Sequence, residues 1–237
     1  VLKLTGNGEN IVNGVYIIRE GQEINTFYMS KSAGVDPTTG EQLYWAYEKN
    51  ADGSMKPGSE YVTNDATVAA SCKYLQGSRI PDIYGSISSS LKFRGFDLGL
   101  LFTYSLGGKI YDSIYNALME PSFVGQTYHR NALRTWTAPG QRTDVPRTTT
   151  TASTQITDRY LIDASYFAVK NISLGYSLPK QLLGKVGIES LRIYLAADSP
   201  WIFTHLKGMN PQASFTGSTS YSYTPNRTFT LGVDLKF

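Results

Sequence analysis

The sequence predicts an all-β protein, and within that class the antiparallel strands of a transmembrane β-barrel. Three observations carry the prediction. A strand-periodic stretch fills Asn226 to Phe237. Two long arms, each of about eleven residues, meet at Arg94-Gly95. Charged residues are scarce, 17% of 237, against ~25% in an average soluble domain.

In the terminal stretch, Phe229, Leu231, Val233, Leu235 and Phe237 alternate with Thr230, Gly232, Asp234 and Lys236. Period two gives a strand one oily and one polar face. Outer-membrane barrels close their sheet with such a strand and end it on an aromatic. The same pattern also fits an edge strand of a soluble β-protein. Ile83, Ile87, Leu91 and Phe93 share one face of the first long arm, with Tyr84, Ser86, Ser88, Ser90 and Lys92 on the other. The chain returns through Phe96, Leu98, Leu100, Phe102, Tyr104 and Leu106. Arms of this length exceed a mean soluble strand of ~5–6 residues and match the ~9–11 that cross a bilayer. Tyr166 to Leu178 reads as the next strand, its apolar face settling on Ile172, Leu174, Tyr176 and Leu178 after a register change near Lys170. Leu191, Ile193, Leu195 and Ala197 mark another, ending at Asp198. The apolar faces carry no charge; the polar faces are mostly Ser, Thr, Gly and Asn, as in a barrel packed against a plug.

Connections alternate in length. Short ones follow Phe93 and Leu178; long excursions run from 107 to 165 and from 199 to 225. Short turns at one end and long loops at the other are a transmembrane-barrel trait. The first long excursion holds expected helices near Ser113–Met119 and Tyr128–Trp136. Upstream, short strands are expected at Val15–Arg19, Ile24–Met29 and Leu43–Tyr47, with a compact turn at Ala33–Gly40, a tight turn at Asp52-Gly53 and an irregular loop over 54–80.

Composition excludes several functions. Tyrosine is abundant, 17 residues, and suits oil–water interfaces. Lone Cys72 rules out an internal disulfide. A net charge of +3 with scattered basic residues argues against nucleic acid. No apolar run approaches the ~20 residues of a membrane helix. The chain opens on Val1-Leu2-Lys3 without a signal peptide, so a mature chain or the tail of a longer one is expected. Glu48, Asn50, Asp52 and Gly53 resemble the start of a calcium loop, but position twelve is Ser59 and Pro57 intrudes. Gly107-Gly108-Lys109 lacks the remaining residues of a phosphate loop. His129 and His205 have no partners at metal-ligand spacing. No Gly-x-Ser-x-Gly elbow occurs; carboxylate pairs remain open, because their spacing is spatial. Catalytic residues, metal and cofactor are therefore all expected to be none, and the chain is not expected to be an enzyme. Tyr115, Tyr128, Trp136, Tyr221 and Tyr223 are candidate loop contacts for a substrate, by stacking on sugar rings; loop packing or an interfacial girdle uses the same residues. Trp201, just past the expected strand end, reads as girdle or packing.

Several stretches resemble one family. They are Ala33–Gly40 (AGVDPTTG), Phe93–Leu98 (FRGFDL) leading to Tyr104–Asp112 (YSLGGKIYD), Trp136–Gly140 (WTAPG), Thr143–Arg147 (TDVPR), Val169–Pro179 (VKNISLGYSLP), Gly208–Pro211 (GMNP) and Arg227–Gly232 (RTFTLG). Their order and spacing, over essentially the whole chain, resemble the C-terminal part of a SusC/RagA-type TonB-dependent outer-membrane transporter. The resemblance implies a plugged barrel of about 22 strands; seven or eight strands are read in residues 1–237, with long loops that the resemblance makes extracellular. Plug, TonB-contacting segment and N-terminal strands would lie upstream. It implies import of glycans, or peptides in some members, across the outer membrane of a Gram-negative bacterium, with a SusD-like lipoprotein and energy passed through TonB. The family more often has a hydrophobe followed by Asp-Pro-Glu where this chain has Met209-Asn210-Pro211-Gln212. With two carboxylates missing, no cation or substrate role is carried over to that loop. A small self-standing barrel of structural or adhesion type, and a soluble carbohydrate-binding β-sandwich, are the alternatives.

Overall fold

The computed structural model describes residues 1–4, 10–119, 127–148, 155–183, 187–205, 210–212, 217–218 and 226–237. The upstream strands are β1 (Ile11–Asn13), β2 (Tyr16–Ile18), β3 (Thr26–Met29), β4 (Lys31–Val35), β5 (Gln42–Ala46), β6 (Tyr61–Thr63) and β7 (Tyr74–Ser78). After them come β8 (Ile83–Phe93), β9 (Phe96–Leu106), β10 (Lys109–Tyr111), β11 (Leu161–Asp163), β12 (Tyr166–Ser177), β13 (Ser190–Thr204) and β14 (Thr228–Lys236). Helices are short: α1 (Ala66–Ser71), α2 (Ser113–Met119) and α3 (Lys180–Leu183). No helix among the described residues is long and apolar enough to cross a membrane. Two compact units emerge.

The first unit comprises Val1–Ile80 and Lys109–Ile162, with Gly217 and Ser218. It holds the sheets β1-β2-β3-β7 and β4-β5-β6 and the pair β10-β11. Its core gathers Phe27, Met29, Tyr111, Met119, Val145 and Tyr160. A second cluster joins Ala46, Tyr47 and Cys72, against which Val68 and Tyr74 pack. Here the Tyr47 hydroxyl donates to the Lys73 carbonyl, 3.1 Å away, and burial pushes its pKa up to about 12. Residues 54–80, expected as one loop, instead contain β6, α1 and β7. Asp65 caps α1, accepting from the Thr67 and Val68 N–H groups; the cap satisfies two donors that a helix start leaves open. The sequence pattern missed these elements because each is only three to six residues long, too short to show a period. The expected turn at Ala33–Gly40 begins later, since Ala33–Val35 belongs to β4. Asp52-Gly53 does turn a hairpin, closed by the Gly53 N–H on the Asn50 carbonyl, 2.9 Å away.

The second unit is one antiparallel sheet in the order β14-β13-β12-β9-β8. Its two hairpin-like connections are short. Arg94 and Gly95, with φ of 47° and 88°, join β8 to β9, a turn whose twist matches paired strands. α3 lies between β12 and β13. At the opposite end, Ile83 faces Leu106, Ser105 faces Tyr166, and Tyr166 faces Thr204. Every long connection leaves from that end.

The expected register change is present: between Val169 and Asn171 the pairing of β12 shifts against both neighbours. β13 answers with Ser199 (φ 49°) and the fully buried Pro200. The strand therefore continues to Thr204 rather than stopping at Asp198. Pro cannot donate to a ladder, and a bulge is where a sheet accommodates it. Trp201 thus lies within β13 rather than past its end. Of the expected helices, α2 covers Ser113–Met119, whereas Tyr128–Trp136 holds only a 3-10 turn, Arg130–Arg134.

Candidate functional site: an apolar sheet face and the loop aromatics

Directly opposed residues in an antiparallel sheet share a face, so the register assigns both faces of the second unit. Phe229, Leu231, Val233 and Leu235 oppose Ala197, Leu195, Ile193 and Leu191. Ile172, Leu174 and Tyr176 continue this face on β12, and Phe96, Leu98 and Leu100 on β9. Ile83, Ile87, Leu91 and Phe93 complete it on β8. Beyond the bulge, Val169, Phe167, Trp201 and Phe203 return to the same face. No position on it is charged. Five strands at ~4.8 Å spacing make it roughly 20 Å wide.

This face is exposed: Phe229 at 72%, Leu231 at 70% and Leu195 at 57%. Soluble monomers rarely show a contiguous apolar patch above a few hundred Å². Its aromatics gather at two levels. Phe96 and Tyr176 meet at 4.5 Å between ring centroids near the short turns. Phe102, Phe167 and Phe203 form a row near the long connections, at 5.6 and 6.4 Å. Leu98, Leu100, Ile172, Leu174, Leu195 and Leu231 lie between. Phe96 and Tyr104 stand roughly 27 Å apart along β9 at ~3.4 Å per residue, which at the ~35–45° tilt of barrel strands spans roughly 20 Å of height, of the order of the ~25 Å apolar band between the aromatic girdles of a membrane barrel.

The other face is polar and carries an ionic row that the sequence pattern did not reveal. The Arg192 guanidinium donates to Asp97 from Nε (2.9 Å) and Nη2 (2.6 Å), and to Asp234 from Nη1 (3.1 Å). It also stacks on the Tyr194 ring at 4.9 Å. Asp97 and Arg192 lie on strands separated by β12, and Gly175 stands between them. A Cβ there would sit 2.5 Å from Asp97 Oδ1 and 2.6 Å from Arg192 Nη2. The missing side chain lets the row cross the sheet. Further up, Lys170 Nζ donates to Gln212 Oε1 at 2.5 Å, while Asn210 Oδ1 accepts from the Gln212 N–H. The departure from Asp-Pro-Glu therefore places a neutral amide on Lys170.

Three of the candidate loop residues, Tyr115, Tyr128 and Trp136, sit in the first unit. Tyr115 is half-buried; its ring lies edge-on to His129 (4.9 Å) and Tyr160 (5.7 Å), and its hydroxyl accepts from Asn131 Nδ2 at 2.8 Å. Tyr128, beside His129, is exposed at 38%. Trp136 packs on Gly40 and donates from Nε1 to the Pro37 carbonyl at 3.0 Å. In the same turn, the Thr38 N–H on Asp36 Oδ1 holds that carboxyl below its usual range. Tyr115 and Trp136 are thus held by different neighbours. Tyr221 and Tyr223 lie outside the described residues. Among the described residues no group of three or more His, Cys, Asp or Glu is arranged to hold a metal.

Comparison with known proteins places this architecture. No protein-family model matches the chain. TonB-dependent receptor P3 of Formosa agariphila is 29% identical over 235 residues, covering 93% of this chain and 23% of the receptor. TonB-dependent receptor SusC of Bacteroides thetaiotaomicron is 23% identical over 246 residues, covering all of this chain and 23% of its own length. Among solved structures, the RagAB peptide importer in its closed-closed state superposes with a TM-score of 0.82 at 27% identity, over 99% of this chain and 25% of that one. The RagAB peptide transporter gives 0.78 at 26%, over 99% of this chain and 24% of that one. The chain spans about a quarter of the length of the relatives it matches. In sequence and fold the chain is similar to SusC/RagA-type TonB-dependent transporters, and its antiparallel sheet fits part of such a β-barrel.

Proposed function

We propose that the chain is the C-terminal wall and outer-loop portion of an outer-membrane importer. The importer takes up glycans, oligosaccharides or peptides in a TonB-dependent manner, working with a SusD-like surface lipoprotein. In this reading residues 229–237 form the strand that closes the barrel, and plug and TonB contacts belong to upstream segments. The wall and loops act by enclosure and binding, without catalysis. The observation that carries the reading is the exposed, uncharged face bounded by two aromatic levels, on a sheet whose long connections all leave one end. A lipid-facing wall requires both, because charge in the hydrocarbon layer is costly and strands reach water only at its edges.

The test is made on the native polypeptide that carries this sequence. Its denatured mass should be about four times 26.2 kDa, from the quarter share of its relatives. It should fractionate with the outer membrane and require detergent for extraction. Cells containing it should accumulate a labelled oligosaccharide or peptide from a mixed digest only when TonB is present. Recovery in the soluble fraction without detergent overturns the wall assignment and favours a soluble β-sandwich. TonB-independent accumulation overturns the energy coupling.

A further inference from the structure

An open, shallow cleft of about 720 Å³ in the first unit is lined by Gly34, Arg134, Gln141, Arg142, Thr143 and Asp144. One loop supplies five of these six residues, and that loop is braced by its own polar groups. Thr143 Oγ1 donates to the Arg134 carbonyl at 2.6 Å. Gln141 Oε1 accepts from the Thr137 N–H at 2.7 Å, and its Nε2 donates to the Thr135 carbonyl at 3.3 Å. Thr135 Oγ1 donates to the Pro146 carbonyl, and the Trp136 N–H to the Val145 carbonyl. Val145 is anchored in the core. The loop is therefore pre-organised, and ordering it on binding costs little.

The polar inventory of the cleft is unequal. Arg134 is paired with Asp144, Nη2 to Oδ2 at 3.1 Å. Arg142 has no hydrogen-bond or ion-pair partner among the described residues. The charged lining is thus two guanidiniums and one carboxylate, with a full Arg fork left over. We propose that the cleft is a subsite for an acidic sugar, with the Arg142 guanidinium taking its anionic group and the aliphatic stems of the lining side chains lying against its ring. This deepens, and rests on, the import reading above.

Two observations favour a sugar over a peptide. The lining carries guanidinium, amide, hydroxyl and carboxylate groups on aliphatic stems, with no aromatic or branched aliphatic residue to form a side-chain pocket, whereas extended peptides are held by sheet edges and side-chain pockets. The sheet edge that borders the cleft is also engaged. The Gly34 N–H donates to Ser32 Oγ and the Ser32 N–H to Asp158 Oδ1. A carboxylate and a sulfate ester both fit an Arg fork, so the shared chemistry is an anionic group on a hydroxyl-rich ring.

The experiment is titration calorimetry on the full-length detergent-solubilised protein at low salt. Its probes are tetragalacturonate, a sulfated carrageenan tetrasaccharide, neutral maltotetraose and a tetraglutamate peptide. Binding is read directly, so a failure of transport or of TonB coupling leaves this result unaffected. At least one anionic sugar should bind about tenfold tighter than maltotetraose, and the two anionic probes identify carboxylate or sulfate. Arg142→Glu should weaken that binding about tenfold or more, while Arg142→Lys, which keeps the charge but loses the fork, should lose less. Arg142 is exposed, and the unchanged heat-shifted gel migration of each variant will verify its folding; Arg142→Ala serves as a neutralising variant beside the charge reversal. Equal affinity for neutral and anionic sugars overturns the proposal, as does unchanged affinity in Arg142→Glu or no binding of either anionic sugar. Arg142-dependent binding of tetraglutamate alone overturns the sugar assignment in favour of an acidic peptide.

Discussion

Arg192 shows how one residue ties several strands together. Its fork on Asp97 is bidentate and partly sheltered, with side-chain exposures of 31% and 23%. Its third contact, to Asp234, is more open, with that carboxylate 62% exposed. Bidentate charge-assisted bonds are the stronger kind, and exposed pairs contribute little. Gly175→Ala would drive a methyl group into the fork, so the expected loss is about 1–3 kcal/mol, read as a lower urea midpoint of the folded barrel. Asp234→Asn should cost less than Gly175→Ala. An unchanged midpoint in Gly175→Ala would show that the fork is not held across β12. The sequence displayed Asp97, Arg192 and Asp234 only as polar-face residues of different strands. Their meeting depends on the order β14-β13-β12-β9, which no local pattern encodes.

At the scale of the strand, face assignment is the testable content. Leu231 opposes Leu195 on the exposed apolar face, and Thr230 opposes Ala196 on the other. Arg at a mid-membrane lipid-facing position costs ~2–4 kcal/mol. On the importer reading proposed above, Leu231→Arg should therefore lower the amount of folded protein in the outer membrane sharply, and Thr230→Arg much less. Equal membrane levels for the two variants would refute the faces. The terminal alternation was legible because a strand period of two needs only a few residues to declare itself. The stretch Ser199 to Thr204 was not legible, because Ser-Pro reads as a breaker. Only the shift at Lys170 on the neighbouring strand shows that a bulge absorbs it.

At the scale of the molecule, the five-stranded sheet has two long outer strands. β8 and β14 each pair on one side only among the described residues. Unpaired edges and an uncovered apolar face are templates for association. Residues 1–237 produced alone in the cytoplasm should therefore collect in the insoluble fraction, and should show no heat-shifted band after transfer to detergent. A soluble, monomeric product by gel filtration would mean that the face is satisfied within this chain, as in a self-standing domain. The first unit has its own core around Phe27, Met29 and Tyr160, so it follows the ordinary rules of a water-facing fold.

By itself the sequence determined the strand faces, the alternation of short and long connections, the position of the hairpin turn at Arg94-Gly95 and the family resemblance. Each of these is written in local order: a period, a length, a turn dipeptide, a run of motifs. Only the tertiary structure decided which strands neighbour one another, where the bulge carries β13 onward, how Arg192 reaches Asp97 over Gly175, and that Arg134 and Arg142 share a cleft with Gly34. Those are contacts between residues far apart in the chain. They follow from register and packing rather than from the spacing of residue types.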